Sequence, residues 1–213
     1  MPLKTPHLLA ASLILLSGCA GRGELDETGG ITAVRSACPA VAVPAGTGDV
    51  TLFADGASRD AAAVDVVAAM TDVRSTCTEV GDQIETAVTF RIDARRTQTG
   101  GARDVTMPYF ITIVRGGSAV VAKRIGRVSV HFDAGQARAS VAGQASATVA
   151  RAAATIPDEI RQRITRRRKA GEEAAAVDPL TEPEVRQAVL RASFEALVGF
   201  QLTDEQLRYN AQR

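Results

Sequence analysis

The chain of 213 residues has 46% hydrophobic and 23% charged residues, which is typical of a soluble globular protein with one domain and a modest extension. This composition argues against disorder of the whole chain. The 25 Lys and Arg residues nearly balance the 24 Asp and Glu residues, so the formal net charge is +1. A dedicated nucleic-acid binder usually has a clear basic excess, and this chain has none.

Residues 1–18 are predicted to be a lipoprotein signal peptide. Lys4 gives the leader its positive charge, and residues 8–16 form an apolar run that suits a secretory signal but is too short to span a bilayer. The next motif, Leu16-Ser17-Gly18-Cys19, resembles the bacterial lipobox, in which cleavage precedes a diacylated cysteine. The alternative is an ordinary secretory signal with a chance cysteine.

The resemblance to a lipobox implies that the protein is located in the cell envelope. Two or three acyl chains on Cys19 would give stable membrane attachment. Ala20 stands where an Asp commonly retains such lipoproteins in the inner membrane, so the resemblance implies transport to the outer membrane, with the domain facing the periplasm. No later stretch is apolar over the roughly 18 residues that a transmembrane helix needs.

Residues 19–37 are rich in Gly, Thr and acidic residues and are predicted to form a flexible tether. Lipidation of Cys19 leaves Cys38 and Cys77, an even pair in an oxidising compartment, and this pair predicts a disulfide. The bond would close a loop of about 40 residues and contribute roughly 4 kcal/mol of stability. The alternatives are two buried free thiols or a redox pair, although redox cysteines usually lie close together in sequence.

From Pro39 to about Val149 the hydrophobic period is two, which is typical of β-strands. Turn signals recur at short, even spacing, and no helix-period segment separates the strands. The pattern therefore favours an antiparallel sandwich or barrel over a parallel α/β sheet. The predicted strands cover residues 50–53, 67–78, 84–95, 105–114, 119–125, 127–132 and 137–149.

Three features refine these strands. Pro108 cannot donate a backbone hydrogen bond, so it predicts an edge position or a bulge for its strand. Gly116 and Gly117 predict a hairpin turn, and Gly126 indicates a bulge between two short strands.

Residues 155–192 have the period of helices. Ile156, Ile160 and Ile164 recur at every fourth position and form one apolar stripe, which we expect to pack on the sandwich. Thr155 and Thr181 are predicted to cap the starts of two helices.

Residues 194–202 fit either a continued helix or a strand. Their apolar residues alternate, and the capping box that begins at Thr203 requires a non-helical chain before it, so we expect a strand that returns to the sheet. Residues 155–192 are then a helical excursion inside one β-sandwich domain, residues 38–213, and a short helix follows the last strand.

Four features together look like a group of uncharacterised alphaproteobacterial outer-membrane lipoproteins. They are the lipobox, the cysteine pair, the segment 70–77 and the ending 198–210. This resemblance implies an envelope location and no known activity. In general form the predicted fold resembles immunoglobulin and fibronectin type III sandwiches, without the Trp that antibody domains bury.

The sequence shows no recognisable catalytic or metal-binding combination. His131 is the one histidine beyond the leader, and we expect it on a sheet surface. Because the three cysteines are assigned to the lipid anchor and the disulfide, the sequence has no spacing of Cys and His residues that could bind zinc. Neither a G-x-S-x-G elbow nor a phosphate-binding G-x-x-x-x-G-K-[ST] loop occurs. We therefore expect no cofactor, no metal and no catalytic residue.

A cluster of basic residues is the one specific candidate for a binding site in the sequence. Its members are Arg161, Arg163, Arg166, Arg167, Arg168 and Lys169. Arginine forks grip phosphate bidentately, so the cluster could bind lipid headgroups or an acidic partner. The alternative is a solvated helix end that Glu172 and Glu173 balance.

These observations favour a lipid-anchored, non-enzymatic protein that binds or scaffolds another envelope component, with the membrane and an envelope protein as its partners. The second hypothesis is a module that binds lipid, glycan or peptide. An enzyme is the third.

Overall fold

The computed structural model describes residues 36–54, 58–166 and 177–212. Two 3₁₀ turns, Ala61–Ala63 and Pro179–Thr181, accompany the larger elements in these ranges. The strands and α-helices, in chain order, are β1 (Ala40–Ala42), β2 (Asp49–Phe53), β3 (Val64–Val80), β4 (Gln83–Arg96), β5 (Arg103–Arg115), β6 (Ala119–Phe132), β7 (Arg138–Ala150), α1 (Arg151–Ala154), α2 (Asp158–Thr165), α3 (Pro183–Ala192), β8 (Phe194–Phe200) and α4 (Asp204–Ala211).

The strands form two four-stranded sheets that pack as a sandwich. The first sheet has the order β1-β8-β5-β6 and the second β2-β3-β4-β7. All pairings are antiparallel except that of β1 with β8, which is parallel. The antiparallel sandwich, the helical excursion before the last strand and the C-terminal helix are thus confirmed.

The alternation in β4 shows how the sequence builds the core. Its inward residues from Ile84 to Ala94 are buried, and the residues between them are mostly exposed. They meet inward residues of the other sheet, including Ile111 and Phe200, in one continuous apolar core. Period-two patterning is sufficient here because one face of the strand packs on the core and the other faces solvent.

The predicted last strand and the capping box after it are also confirmed. β8 pairs with β5 over its whole length, and β1 pairs with its other edge. The Thr203 side chain accepts from the Gln206 amide, and the Gln206 side chain accepts from the Thr203 amide. The Asn210 amide group then ties α4 down by donating to the Gly46 and Asp49 carbonyls, at 2.8 and 2.9 Å.

The prediction for Pro108 is wrong. β5 is a central strand, between β8 and β6, and its register runs regularly through Pro108. The Pro108 carbonyl accepts from the Gln201 amide at 2.9 Å, one residue beyond the end of β8. In an antiparallel ladder the N–H and C=O of one residue point to the same side. The nitrogen of Pro108, which has no hydrogen to donate, therefore faces Gln201, just beyond the end of β8. No hydrogen bond between β5 and β8 is lost.

Gly126 does not mark a bulge either, since β6 is one continuous strand. The Tyr109 ring lies over Gly126 of the paired strand, where any Cβ would collide with it. Phe90 covers Gly143 in the same way in the second sheet. The two rings meet edge to face, 5.1 Å apart. These glycines therefore make room for aromatic rings that cross from strand to strand.

The helix starts in the excursion differ from those predicted. Helical structure begins at Arg151, and Thr155 ends that first turn, with its hydroxyl donating to the Arg151 carbonyl. The second helix begins after Pro157, without a side-chain cap. Thr181 belongs to a 3₁₀ turn that Asp178 caps, so α3 begins after Glu182 instead. Both threonine hydroxyls, which the sequence pattern assigned to helix caps, instead donate to a carbonyl of the turn that precedes them.

The isoleucine stripe does not pack on the sandwich, which corrects that prediction. Ile160 packs with Val185 and Ala188 of α3 in a second, small apolar cluster, which Ile156 and Ile164 flank. The excursion thus covers its own apolar faces, because α2 and α3 are close enough to bury each other's stripes. Among the described residues no helix is long and apolar enough to cross a bilayer.

Candidate interaction surfaces

The disulfide predicted between Cys38 and Cys77 is present, with a Cα–Cα distance of 6.0 Å. Cys38 lies two residues before β1 of the first sheet, and Cys77 lies in β3 of the second. The bond therefore joins the two sheets directly after the predicted tether. The predicted leader, Cys19 and the predicted tether up to residue 35 lie outside the described residues.

The basic cluster is only partly visible, and two of its three described members are engaged. Arg161 pairs with Asp158, while Arg163 donates to Glu184 at 2.7 Å and lies 3.8 Å from Glu182. These acidic partners, Glu184 first, raise the pKa of the Arg163 guanidinium. Arg166 is exposed at the end of α2. The remaining members of the cluster, Arg167, Arg168 and Lys169, lie outside the described residues.

His131 is exposed on β6, in line with a surface position. Its Nδ1 donates to Asp104, the residue directly opposite on β5, at 2.8 Å, and its Nε2 lies 3.4 Å from Asp133. The hydrogen bond to Asp104 is the main reason that the pKa of His131 is raised. This arrangement is an exposed cross-strand pair.

The first half of β6 is a more distinctive surface. β6 is the outer strand of its sheet and pairs only with β5 among the described elements. Every residue in 119–125 is exposed, on both faces of the strand. Val120, Val121 and Ile125 are 64%, 52% and 61% exposed. We call residues 119–125 the β6 edge segment; it combines a free strand edge with uncovered apolar side chains, which is unusual for a stable monomer.

The β6 edge is also basic. Its strand has Lys123, Arg124 and Arg127 and no acidic residue between Ala119 and Phe132. None of these three cations forms an ion pair with a described carboxylate; Lys123 instead lies 5.1 Å from the Phe110 ring centre. The register shift opposite Ile113 and Val114 leaves one residue of the edge segment without a partner on β5. A bulge and like charges both discourage two identical edges from pairing.

A cleft of about 400 Å³ opens beside the β6 edge segment, between β6 and β7. Arg124, Ile125 and Tyr109 are among the residues that line it. The Tyr109 hydroxyl donates to the Gln144 carbonyl at 2.7 Å, which links the two sheets at this point. A side chain from a strand paired with β6 could enter this cleft.

The sequence contains one signal for this surface. Val120 and Val121 are adjacent apolar residues, so the regular alternation seen in β4 is absent from this part of the sequence. A strand with this pattern is either buried on both faces or exposes apolar side chains that another chain could cover. Neighbouring residues could not tell these cases apart, because the difference depends on what packs beside the strand.

No protein-family model matches the sequence, and no curated protein is significantly similar to it. Within residues 36–54, 58–166 and 177–212, no group of three or more His, Cys, Asp or Glu side chains is placed to hold a metal ion.

Proposed function

We propose that this protein is a lipid-anchored component of the cell envelope that binds or scaffolds another envelope protein without catalysing a reaction. The observation that carries the proposal is the β6 edge segment. The partner we infer is a protein that adds a strand to this edge. Main-chain hydrogen bonds would then supply affinity, and alternate side chains would supply specificity.

Charge complementarity favours an acidic partner strand. The edge presents Lys123, Arg124 and Arg127 without a described counter-ion, so a strand with Asp or Glu opposite them would gain cross-strand ion pairs. A second copy of this chain would instead bring the same positive charges to the same edge. Electrostatics therefore selects a different protein over self-association.

The position of the edge supports this role. β1, which follows Cys38 and the predicted tether, lies at one edge of the first sheet, and β6 lies at the other. Three strand spacings separate them, about 14 Å. An anchor attached before Cys38 would therefore leave the β6 edge on the side away from the attachment point.

The docking proposal is tested by a photoreactive residue at position 125, in protein extracted from membranes under native conditions. We expect a covalent adduct to a single envelope protein, together with slowed backbone amide exchange over residues 119–127, because strand addition hydrogen-bonds the free edge. The same photoreactive residue at position 80, where Val80 is 53% exposed in the second sheet, is the matched control and should give no such adduct.

Charge reversal separates this surface from the helical excursion. Lys123→Glu combined with Arg124→Glu should abolish the adduct while leaving the melting temperature nearly unchanged, because exposed charges contribute little to stability. Arg161→Glu with Arg166→Glu changes the same number of charges on α2 and should retain the adduct. If the α2 variant loses the partner and the β6 variant keeps it, the docking surface is the basic cluster and our assignment is wrong.

The anchoring half of the proposal has its own test. We expect Cys19→Ala to release the protein from washed membranes and to leave its precursor uncleaved, because the thiol that would receive the diacylglycerol is gone. Ala20→Ser keeps the cysteine and should fractionate like the unaltered protein. If Cys19→Ala protein stays with membranes after a high-salt wash, lipidation is not what holds it there.

A further inference from the structure

The outer face of the second sheet brings two arginines together. The register of β4 and β7 sets Arg95 directly opposite Arg138, and Val67 of β3 flanks Arg95 on its other side. The Arg96 amide donates to the Ala137 carbonyl at 2.9 Å, so the adjacent pair, Arg95 and Arg138, occupies a non-hydrogen-bonded position of the ladder. At such positions the Cα atoms are about 4.5 Å apart, which is the closest approach that an antiparallel sheet offers.

This pair has no counter-ion in the described part of the chain. Like charges directly opposite each other destabilise a sheet. Two carboxylates on the same face, Asp93 and Asp65, are already engaged. Asp93 accepts from the Thr71 hydroxyl at 2.7 Å and from Arg91 Nε at 3.0 Å, and Asp65 accepts from Arg103 at 2.9 Å. The Thr71 hydrogen bond is the main cause of the lowered pKa of Asp93, with Arg91 contributing in the same direction. Arg95 and Arg138 therefore form a doubly positive pair that no described side chain neutralises.

The surroundings of the pair form an open groove of about 810 Å³. Val64, Val67 and Ala69 line its apolar side, and the Ser140 hydroxyl lies on the row next to Arg138. Arg91 and Asp93 also line the groove, but they pair with each other at 3.0 Å. A ligand seated beside Arg95 and Arg138 would meet their two guanidinium groups, the Ser140 hydroxyl and a small apolar surface. Two guanidinium forks side by side match an oxyanion with several oxygens, since each fork can donate two parallel hydrogen bonds to it.

We propose that Arg95 and Arg138 form a binding site for a phosphoryl group, in the groove on the outer face of the second sheet. The site is on the other sheet from the β6 edge and does not depend on the docking proposal. A phosphoryl group bound between the two arginines would replace their mutual repulsion with charge-assisted hydrogen bonds. The group belongs either to an anionic lipid headgroup or to a soluble phosphate ester.

The test uses the full chain in neutral detergent micelles, titrated with glycerol 3-phosphate or with phosphatidylglycerol added to the micelles. We expect saturable binding that shifts the arginine Nε resonances of Arg95 and Arg138. Arg95→Gln with Arg138→Gln should weaken it by on the order of tenfold or more, since losing one charge-assisted hydrogen bond already weakens binding by about that factor. The matched control, Arg186→Gln with Arg208→Gln, removes two exposed charges elsewhere and should retain the affinity.

The double variant should also melt at a temperature no lower than the unaltered protein, because it removes a like-charge pair. Binding of glycerol 3-phosphate supports a soluble ester as the ligand, and binding of phosphatidylglycerol alone supports a lipid headgroup. If the Arg95/Arg138 variant and the control variant lose affinity for the probe equally, the loss reflects only the change in net charge, and the proposal is overturned. Failure of both probes to bind would overturn it as well.

Discussion

Replacing Cys38 and Cys77 together with serine is expected to lower the free energy of unfolding by about 2–4 kcal/mol. The bond connects residues separated by 39 positions, so its loss releases a long loop in the unfolded chain. In the folded protein the same bond joins the segment before β1 to β3, and thereby the two sheets. Chemical denaturation of the purified protein measures the loss as a lower midpoint.

Reduction of the unaltered protein with a thiol reagent should reproduce the lower midpoint of the serine variant. Ser75→Ala, at an exposed position of β3 two residues before Cys77, serves as the control and should unfold like the parent protein. Two alkylatable thiols in protein purified without a reducing agent would contradict the disulfide itself. An unchanged midpoint in the double serine variant would show that the bond adds no stability to this sandwich.

Arg96→Met is expected to lower the free energy of unfolding by about 3–5 kcal/mol, which is the scale of breaking a buried hydrogen-bond network. The Arg96 side chain is 3% exposed and points into the sandwich. Its three guanidinium nitrogens each donate to a different backbone carbonyl at 2.8 Å, those of Gln136, Gly101 and Asp133. The guanidinium also lies 5.2 Å from the Phe132 ring centre.

These bonds tie the β4–β5 loop to the β6–β7 loop at one end of the sandwich. Methionine can fill part of the volume but leaves three carbonyls without their donor, and lysine cannot reproduce the planar fork that reaches all three. Arg95→Met is the natural control because the neighbouring side chain points outward and is exposed. Equal denaturation midpoints for the Arg96→Met and Arg95→Met variants would refute this role for Arg96.

Arg96 also shows what the alternating pattern of a strand can and cannot predict. The alternation that buries Ile92 and Ala94 continues in phase to Arg96, so the pattern already directs this side chain inward. The predicted strand ends at residue 95, one residue short of Arg96, and an arginine is rarely buried. Its burial depends on carbonyls from two loops that are 5 to 40 residues away in sequence, and only folding brings them together.

The β6 edge and the arginine pair of the second sheet depend on tertiary structure in the same way. The sequence predicts a strand at residues 119–125 and another at 137–149, but not that β6 ends a sheet or that Arg138 lies opposite Arg95. Strand order and register follow from long-range pairing. Local composition constrains register only through which face is apolar.

The sequence by itself determined the strands with clean alternation, the return of the chain to the sheet before Thr203 and the pairing of Cys38 with Cys77. Each of these follows from local rules: one buried face per strand, a capping box that requires an extended residue before it, and an even thiol count in an oxidising compartment. The central place of Pro108 and the helix partner of the isoleucine stripe were decided only in the tertiary structure. Both depend on which distant element lies beside them, because a missing donor matters only where a strand would accept its bond, and an apolar stripe packs on whichever apolar surface is nearest.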